Sequence, residues 1–315
     1  MTGYDIIGDV HGCADKLTTL LKKLGYVERD GAYRHTQDRQ VVFVGDLIDR
    51  GSFQLESVAI PQAMVEHGTA QMVIGNHEFN AVAFATRNAD DTDWCRPHSD
   101  KNRSQHQAFL NAAEFGSATH RSIVGWFMSL PLWLDLDGVR VVHACWDDES
   151  IDHLASQVGS HGGLTDQLVR DGTTKTHASY DAIETVLKGP EVFMDSYWYE
   201  DKDRNKRTEG RAQWWKPDAT TLHDIVSLSP SWPLFDSDGN RVGALPQTPF
   251  TGSVPVYPAD APPVLFGHYW FTPDDPMPST DTTACVDFSA VQGGPLVAYR
   301  WDGEPTLQSG NFVTT

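Results

Sequence analysis

Five short polar clusters run along the chain: Gly8-Asp9-Val10-His11-Gly12, Gly45-Asp46-Leu47-Ile48-Asp49-Arg50-Gly51, Gly75-Asn76-His77-Glu78, Val142-His143-Ala144 and Gly267-His268. They supply carboxylates, imidazoles and one amide. That oxygen and nitrogen set suits two borderline-hard divalent ions held side by side. Two such ions clamp the attacking and leaving oxygens of a phosphoryl displacement. Hydrolysis of a phosphate ester is the leading expectation.

Asp9 and His11 alternate at the end of an apolar run. Side chains at i and i+2 of extended backbone point the same way, so both can reach one ion. Gly8 and Gly12 let the chain turn tightly beside them. Taken alone, this cluster reads equally well as a capping aspartate and a surface histidine; the remaining clusters favour the metal. Asp46 follows its own strand in the same way, and its two oxygens make it the natural bridging carboxylate. Arg50 offers a planar fork of donors for phosphate oxygens, the alternative being a salt bridge to a neighbouring carboxylate. Asn76 can ligate through its side-chain carbonyl. His77 need not ligate: an adjacent imidazole could donate a proton to the leaving oxygen as general acid. Asp49 would hold that imidazole charged and oriented. Glu78 reads as a support or helix-start residue. His143 and His268 complete the ligand count. The other histidines, His35, His67, His98, His106, His120, His153, His161, His177 and His223, lie in no comparable setting and read as structural or surface residues.

These side chains need strands that end in one place. Tyr4 to Ile7, Val41 to Val44 and Gln71 to Ile74 are short apolar runs, each ending in a glycine and a polar ligand candidate. Helical periodicity fills the gaps: Ala14 to Leu24, with Leu17, Leu20, Leu21 and Leu24 on one face, and Ser57 to Glu66. Strand, ligand turn and helix in repetition predict parallel βαβ units. In open sheets of that kind, sites lie outside the carboxyl ends of the strands. Residues 133–142 alternate around Asp137-Gly138, a hairpin signal whose second strand delivers His143. Asp90 to Gln107 reads as a polar loop, and Gln107 to Glu114 and His120 to Leu130 as helices. Residues 147–189 are helical in pattern. Val264 to Phe266, Ala284 to Phe288 and Leu296 to Trp301 read as late strands. Residues 195–250 are irregular and rich in Trp, Pro, Asp and Arg. They read as an insertion in a single domain spanning 1–315, since loops this long usually serve a function or are disordered.

The net charge of −19, from 43 acidic and 24 basic residues, disfavours nucleic acid and anionic membranes as partners. It allows an anionic substrate, because bound divalent ions invert the local field. Cys13, Cys95, Cys145 and Cys285 are widely spaced without a C-x-x-C pair, which argues against a zinc knot and for free thiols in a reducing compartment. No apolar run reaches the length of a membrane span. The opening residues lack the basic head and apolar middle of a signal peptide, so a cytoplasmic location is expected.

In order, the clusters resemble those of the calcineurin-like metallophosphoesterases, and more narrowly the phosphoprotein phosphatase group, which includes bacterial diadenosine tetraphosphatases. The resemblance anchors residues 4–80, then His143 and His268. It implies an α/β fold of two facing mixed β-sheets flanked by helices, a four-layer sandwich. It implies one ion on Asp9, His11 and Asp46 and a second on Asp46, Asn76, His143 and His268, with manganese, iron or zinc as the metals. A hydroxide bridging the ions would attack phosphorus in line, with Arg50 on the phosphate and His77, backed by Asp49, as the acid.

Two departures stand out. The family's protein phosphatases carry a further phosphate-binding arginine in mid-chain; here the candidates are Arg207 and Arg211, ahead of Trp214-Trp215. Their late segment has an aspartate followed by threonine and glycine, whereas Asp287 is followed by Phe288-Ser289. The expected activity is that of a phosphoprotein or small phosphomonoester phosphatase. A hydrolase of dinucleoside polyphosphates is the alternative, and a metal-bound scaffold without catalysis the remote one. The acidic balance counts against a nuclease.

Overall fold

A computed structural model describes residues 3–159, 161–201, 204–229, 232–272 and 275–315. Tyr4–Ile7 (β1) leads through Ala14–Leu24 (α1) and a hairpin, Tyr26–Arg29 (β2) with Ala32–His35 (β3), to Gln40–Phe43 (β4). Gln54–Glu66 (α2) returns the chain to Ala70–Met72 (β5), and Asn76–Ala85 (α3) follows. Each crossover places the next strand parallel to the last, β1 beside β4 and β4 beside β5. α1 forms because Leu17, Leu20, Leu21 and Leu24 share one buried face. It stops at Gly25, whose φ of 95° is the left-handed cap that glycine adopts without strain.

Asp100–Ala112 (α4) and Ala118–Ser129 (α5) precede the hairpin of Trp133–Leu136 (β6) and Val139–Val142 (β7). Asp148–Ala155 (α6), Asp166–Thr173 (α7) and Ala178–Lys188 (α8) come next. Residues Gly189–Ala261 then form a compact unit of their own. Its elements are Glu191–Phe193 (β8), Trp198–Glu200 (β9), Lys206–Arg207 (β10), Glu209–Ala212 (β11), Leu222–Ile225 (α9), Val226–Ser227 (β12), Leu234–Phe235 (β13) and Arg241–Val242 (β14). The strands make two small sheets, ordered β12-β11-β8 and β10-β9-β13-β14. They enclose a separate apolar core that includes Met194, Ala212, Ile225 and Leu234.

The first unit, Met1–Lys188, resumes at Pro262–Thr315. Val264–Phe266 (β15) lies parallel to β7, and Thr283–Cys285 (β16) parallel to β15. Val297–Trp301 (β17) runs antiparallel to β1, and Phe312–Thr314 (β18) antiparallel to β17. Two mixed sheets result, ordered β18-β17-β1-β4-β5 and β16-β15-β7-β6. They face each other across one apolar cluster. Ile6, Val42, Val44 and Tyr299 of the first pack with Val139, Val141, Leu265 and Ala284 of the second. Each fully buried aliphatic side chain there contributes about 1.5–3 kcal/mol. The expected α/β architecture of two facing sheets with helices is the one observed.

Several local expectations change. The β2–β3 hairpin was not among the expectations; its turn is Asp30-Gly31, whose φ angles of 53° and 82° are both positive, as a tight hairpin turn demands. The segment expected as a polar loop to Gln107 is helical from Asp100, because Ser99 caps α4 by accepting from the Asn102 N–H. Residues 195–250 are not merely irregular: their strands of two to four residues are too short for alternation to register. Residues 202, 203, 230 and 231 of that segment lie outside the described residues. Among the described residues, no helix is long and apolar enough to cross a membrane.

Candidate active site

Asp9 and His11 follow β1, Asp46 follows β4 and Asn76 follows β5, at the carboxyl ends of three adjacent parallel strands. His143 and His268 follow β7 and β15, which are parallel neighbours in the facing sheet. Backbone bonds tie the ends together. The N–H groups of Val10 and His11 donate to the Asp46 carbonyl at 3.1 and 2.8 Å, and Gly267 N–H donates to the His143 carbonyl at 2.8 Å. The approach is close at two glycines: a Cβ on Gly45 would meet the backbone of Gly75, and one on Gly267 the carboxylate of Asp9. His11, Asp46, Asp49, Arg50, His268 and Trp270 all hold φ between 44° and 73°. Such left-handed backbone costs roughly 1–3 kcal/mol per non-glycine residue and gathers where function requires it.

The six candidate ligands converge. Asp46 sits among three imidazoles: its Oδ2 is 3.5 Å from His11 Nε2 and 3.9 Å from His77 Nε2, and its Oδ1 is 3.5 Å from His143 Nε2. Asp9 Oδ2 is 4.0 Å from His11 Nε2. His11 Nδ1 bonds the Ile48 carbonyl at 2.9 Å and His143 Nδ1 the Val44 carbonyl at 2.7 Å. A carbonyl only accepts, so each Nδ1 carries the proton and each Nε2 turns a lone pair inward, as metal-binding histidines do. Among the described residues, His11 Nε2 is buried without a hydrogen-bond partner. The Asn76 Oδ1 position lies 3.1 Å from His143 Nε2, 2.7 Å from His268 Nδ1 and 3.3 Å from Asp46 Oδ2. An amide N–H₂ turned to that position would also pair with these acceptors. A carbonyl oxygen there would face only other acceptors, an arrangement that a cation among them would satisfy. The donor chemistry fits divalent ions, and two groups satisfy the distances: His11, Asp46 and His77, and Asp46, His143 and His268. Asp46 belongs to both.

Beside this cluster, His77 Nδ1 donates to Asp49 Oδ2 at 2.6 Å. Its Nε2 lies 3.3 Å from an Arg50 guanidinium nitrogen. Arg50 is exposed, and its guanidinium stacks 4.1 Å above the Trp270 ring. Glu78 lies beneath, accepting from the N–H groups of Asp46 at 2.8 Å, Leu47 at 2.7 Å and Gly75 at 3.0 Å. It thereby joins the turns after β4 and β5 and caps α3. Asp287 follows β16 and accepts from the N–H groups of Trp270 at 2.9 Å and Ser289 at 3.0 Å.

The electrostatics are those of crowded, buried carboxylates. Burial pushes Asp9 well above the usual range, with the charges of Asp287 and Asp46 adding to it. Burial likewise raises Asp287 to about 6, against the Ser289 and Trp270 N–H bonds. Burial and the Asp46 charge raise Glu78 to about 7. Burial would raise Asp46 too, but His143, His77 and His11 hold it at about 2. Burial lowers His11 to about 3 in spite of Asp46. Burial opposes ionisation of Asp49, yet bonds from His106 and His77 hold its carboxyl well below the usual range. Several buried acids surrounding one low-pKa carboxylate make a place for concentrated positive charge.

Arg207 and Arg211 stand in the 189–261 unit. Arg207, on β10, pairs with Asp201 at 2.9 Å, and Arg211 lies on β11 opposite Ser227 and Glu191. His106 corrects the reading of the remaining histidines. It is fully buried on α4 and bonds Asp49 Oδ1 at 2.9 Å. Only a helix beginning at Asp100 brings it there, and the polar composition of 90–107 concealed that helix. Trp270 carried no motif signal beyond its place after a late strand, whereas Asp287 matches the late aspartate of the family that the clusters resemble, without a role assigned to it.

A two-sheet α/β fold with this donor set at its strand ends defines the metal-dependent phosphoesterase class. The model of the calcineurin-like phosphoesterase family matches residues 4–268, and the chain belongs to that family. The chain is similar to the asymmetrical bis(5'-nucleosyl)-tetraphosphatase PrpE of Oceanobacillus iheyensis, 31% identical over 181 residues, 57% of this chain and 64% of that protein. It is also similar to PrpE of Halalkalibacterium halodurans, 51% identical over 74 residues, 24% of this chain and 30% of that protein. The matched part is thus less than two thirds of either relative's length. A solved cold-active protein-tyrosine phosphatase of a psychrophilic Shewanella aligns with TM-score 0.48 and 17% identity, over 100% of this chain and 80% of that one.

Proposed function

We propose that this chain hydrolyses phosphoric esters or anhydrides with two divalent ions. The observation that carries this reading is the sharing of Asp46 between two adjacent groups of ligand atoms. Asp9, His11 and Asp46 would hold one ion, with His77 of the first group kept as the proton donor because Asp49 holds its Nδ1, and Asp46, Asn76, His143 and His268 would hold the other. Such ions supply Lewis-acid neutralisation of the phosphoryl charge and an activated water nucleophile. Manganese is the first choice, with iron and zinc as alternatives.

The remaining roles fall to the side chains themselves. Arg50, held flat by Trp270, presents its fork to the phosphoryl oxygens. His77 is oriented by Asp49, so its Nε2 faces the reacting space and can give a proton to the leaving oxygen. Arg207 and Arg211 are the further candidates for phosphate contact. Residues 189–261 interrupt the phosphoesterase unit in sequence and are read as an insertion that sets substrate choice. Four free thiols suit a reducing, cytoplasmic setting.

This chemistry serves a phosphomonoester, on a protein or a small molecule, and equally the anhydride of a dinucleoside polyphosphate. Similarity to the PrpE tetraphosphatases is the observation on the side of the second. Phosphate release by metal-stripped protein reloaded with manganese separates the two, comparing para-nitrophenyl phosphate, a phosphopeptide and diadenosine tetraphosphate. Preferential turnover of the dinucleotide makes it a nucleotide hydrolase. Preference for the phosphopeptide makes it a protein phosphatase. No turnover of any, with two ions bound, defeats the proposal.

A further inference from the structure

Asp49 is a carboxylate with two partners, and only one of them faces the reaction. Oδ2 holds His77 Nδ1 at 2.6 Å, while Oδ1 holds His106 Nδ1 at 2.9 Å. Asp49 is 1% exposed and His106 is fully buried. A third bond, from the Asp49 N–H to Gln54 Oε1 at 2.7 Å, fixes the backbone at the same residue. His106 is clamped in turn, its ring packing 5.4 Å from Phe84 and 5.1 Å from Phe109, centroid to centroid. A carboxylate only accepts, so His106 presents Nδ1–H to it. Its Nε2 meets no polar partner among the described residues. The ring therefore spends its one directed bond on Asp49.

We infer that His106 is a positioning residue for the proposed general acid, acting through Asp49. A carboxylate bonded through one oxygen can still rotate about its Cβ–Cγ bond; one bonded through both cannot without breaking a bond. Fixing the plane of Asp49 fixes the direction in which His77 Nδ1 is held, and so the aim of His77 Nε2. Proton transfer to a leaving oxygen needs the donor within hydrogen-bond reach, and misplacement by 1 Å is costly. Hydrogen-bond partners that orient metal-bound imidazoles from behind typically matter by about 10–100-fold, and that scale is the one expected for His106 behind Asp49. The inference rests on His77 acting as the acid.

The test compares H106F, which keeps the aromatic packing and removes the donor, with H106N and H106Q, which return an N–H. Each is assayed on aryl phosphates graded in leaving-group basicity, with H77N alongside and with metal content and Tm measured throughout. The expected result is a loss of kcat in H106F of about 10–100-fold on the most basic leaving group. The loss should shrink as the leaving group improves, with KM and two ions per chain retained. H106N or H106Q should recover part of kcat. In zinc-loaded protein, the far-downfield proton resonance of the short His77–Asp49 bond should persist in the parent and broaden or shift upfield in H106F. A uniform loss across leaving groups that tracks Tm, with that resonance unmoved, would make His106 a packing residue and overturn the inference. If H77N itself shows no dependence on the leaving group, the acid assignment fails first. If H77N shows it and H106F does not, only the role of His106 fails.

Discussion

The two compact units use their polar residues in opposite ways. In the unit of 1–188 and 262–315, Asp9, Asp46, Asp49, Glu78 and Asp287 are each at most 2% exposed. They stand just past strand ends or at the first turn of α3. In the unit of 189–261 the buried residues are apolar, among them Val192, Met194, Trp214 and Leu234. Its aspartates instead close local turns, as Asp201 does with Asn205 and Arg207, and Asp236 with Asn240. Burying a carboxylate costs several kcal/mol unless it is compensated. In the first unit that cost is met by N–H bonds to Glu78 and Asp287 and by the histidines around Asp46 and Asp49, an arrangement a divalent ion would further favour; the second unit has no such cluster among its described residues.

The sharpest way to break this comparison is to remove the shared carboxylate. Asp46→Asn should release at least one ion per chain and lower kcat/KM by a thousandfold or more, on the order expected when electrostatic stabilisation of the transition state is lost. Metal analysis and turnover together check it. His77→Asn should keep both ions and lose about 10²–10⁴-fold in kcat, most severely for poor leaving groups. Arg50→Lys keeps the charge but loses the fork; about tenfold or more in kcat/KM should go, read with inorganic phosphate as a competitive probe.

Stability against pH sharpens the contrast without any substrate. In metal-free protein Asp287 is raised to about 6 and Glu78 to about 7, above ordinary values of 3.8 and 4.5. The folded chain binds these protons more tightly than the unfolded chain. Their contribution is therefore full below the ordinary values and lost as pH rises through the folded ones. His11, lowered from 6.5 to about 3, acts in the opposite sense and only below 6.5. The Asp287 contribution is lost between about pH 4 and 6, where His11 opposes it, and the Glu78 contribution between about pH 4.5 and 7. From about pH 6.5 to 7.5 stripped protein should therefore lose at most about 1 kcal/mol of stability per pH unit, from Glu78, and be flat above about pH 8. Metal-loaded protein, its acids already ionised by their ligand, should be flatter. Asp287→Asn should change the pH dependence below about pH 6 and leave the slope above about pH 6.5 as it was.

The smallest effect belongs to the second unit. The Arg207 side chain is 50% exposed in its pair with Asp201, and such pairs contribute about 0–1 kcal/mol. Arg207→Ala should change kcat/KM less than about threefold. A tenfold rise in KM would instead bring phosphate recognition into 189–261.

The same contrast explains what could be read from sequence. β1 and β15 were legible to the residue because their runs are apolar and end in glycine with a polar residue close behind, and β7 because its alternation follows the Asp137-Gly138 turn. α1 was legible because its leucines repeat at the helical period. The clusters placed Asp9, His11, Asp46, Asn76, His77, His143 and His268 beside one another in the fold. His106 was hidden because its role depends on a tertiary meeting of α4 with the turn after β4, and periodicity says nothing of such meetings. Trp270 was hidden for the same reason; Asp287 was legible in its late segment, but not its bonds to the Trp270 and Ser289 N–H groups. The small sheets of 189–261 were hidden because a two-residue strand such as β10 or β13 has no period, and its stability comes from packing within that unit.

The most direct test is a titration of Mn²⁺ into metal-stripped protein, with bound metal per chain and phosphate release from diadenosine tetraphosphate and para-nitrophenyl phosphate followed together. The account predicts two ions per chain, with turnover of at least one substrate rising only as the second site fills. Full turnover with one ion or none, or two bound ions with no release from either substrate, would contradict it.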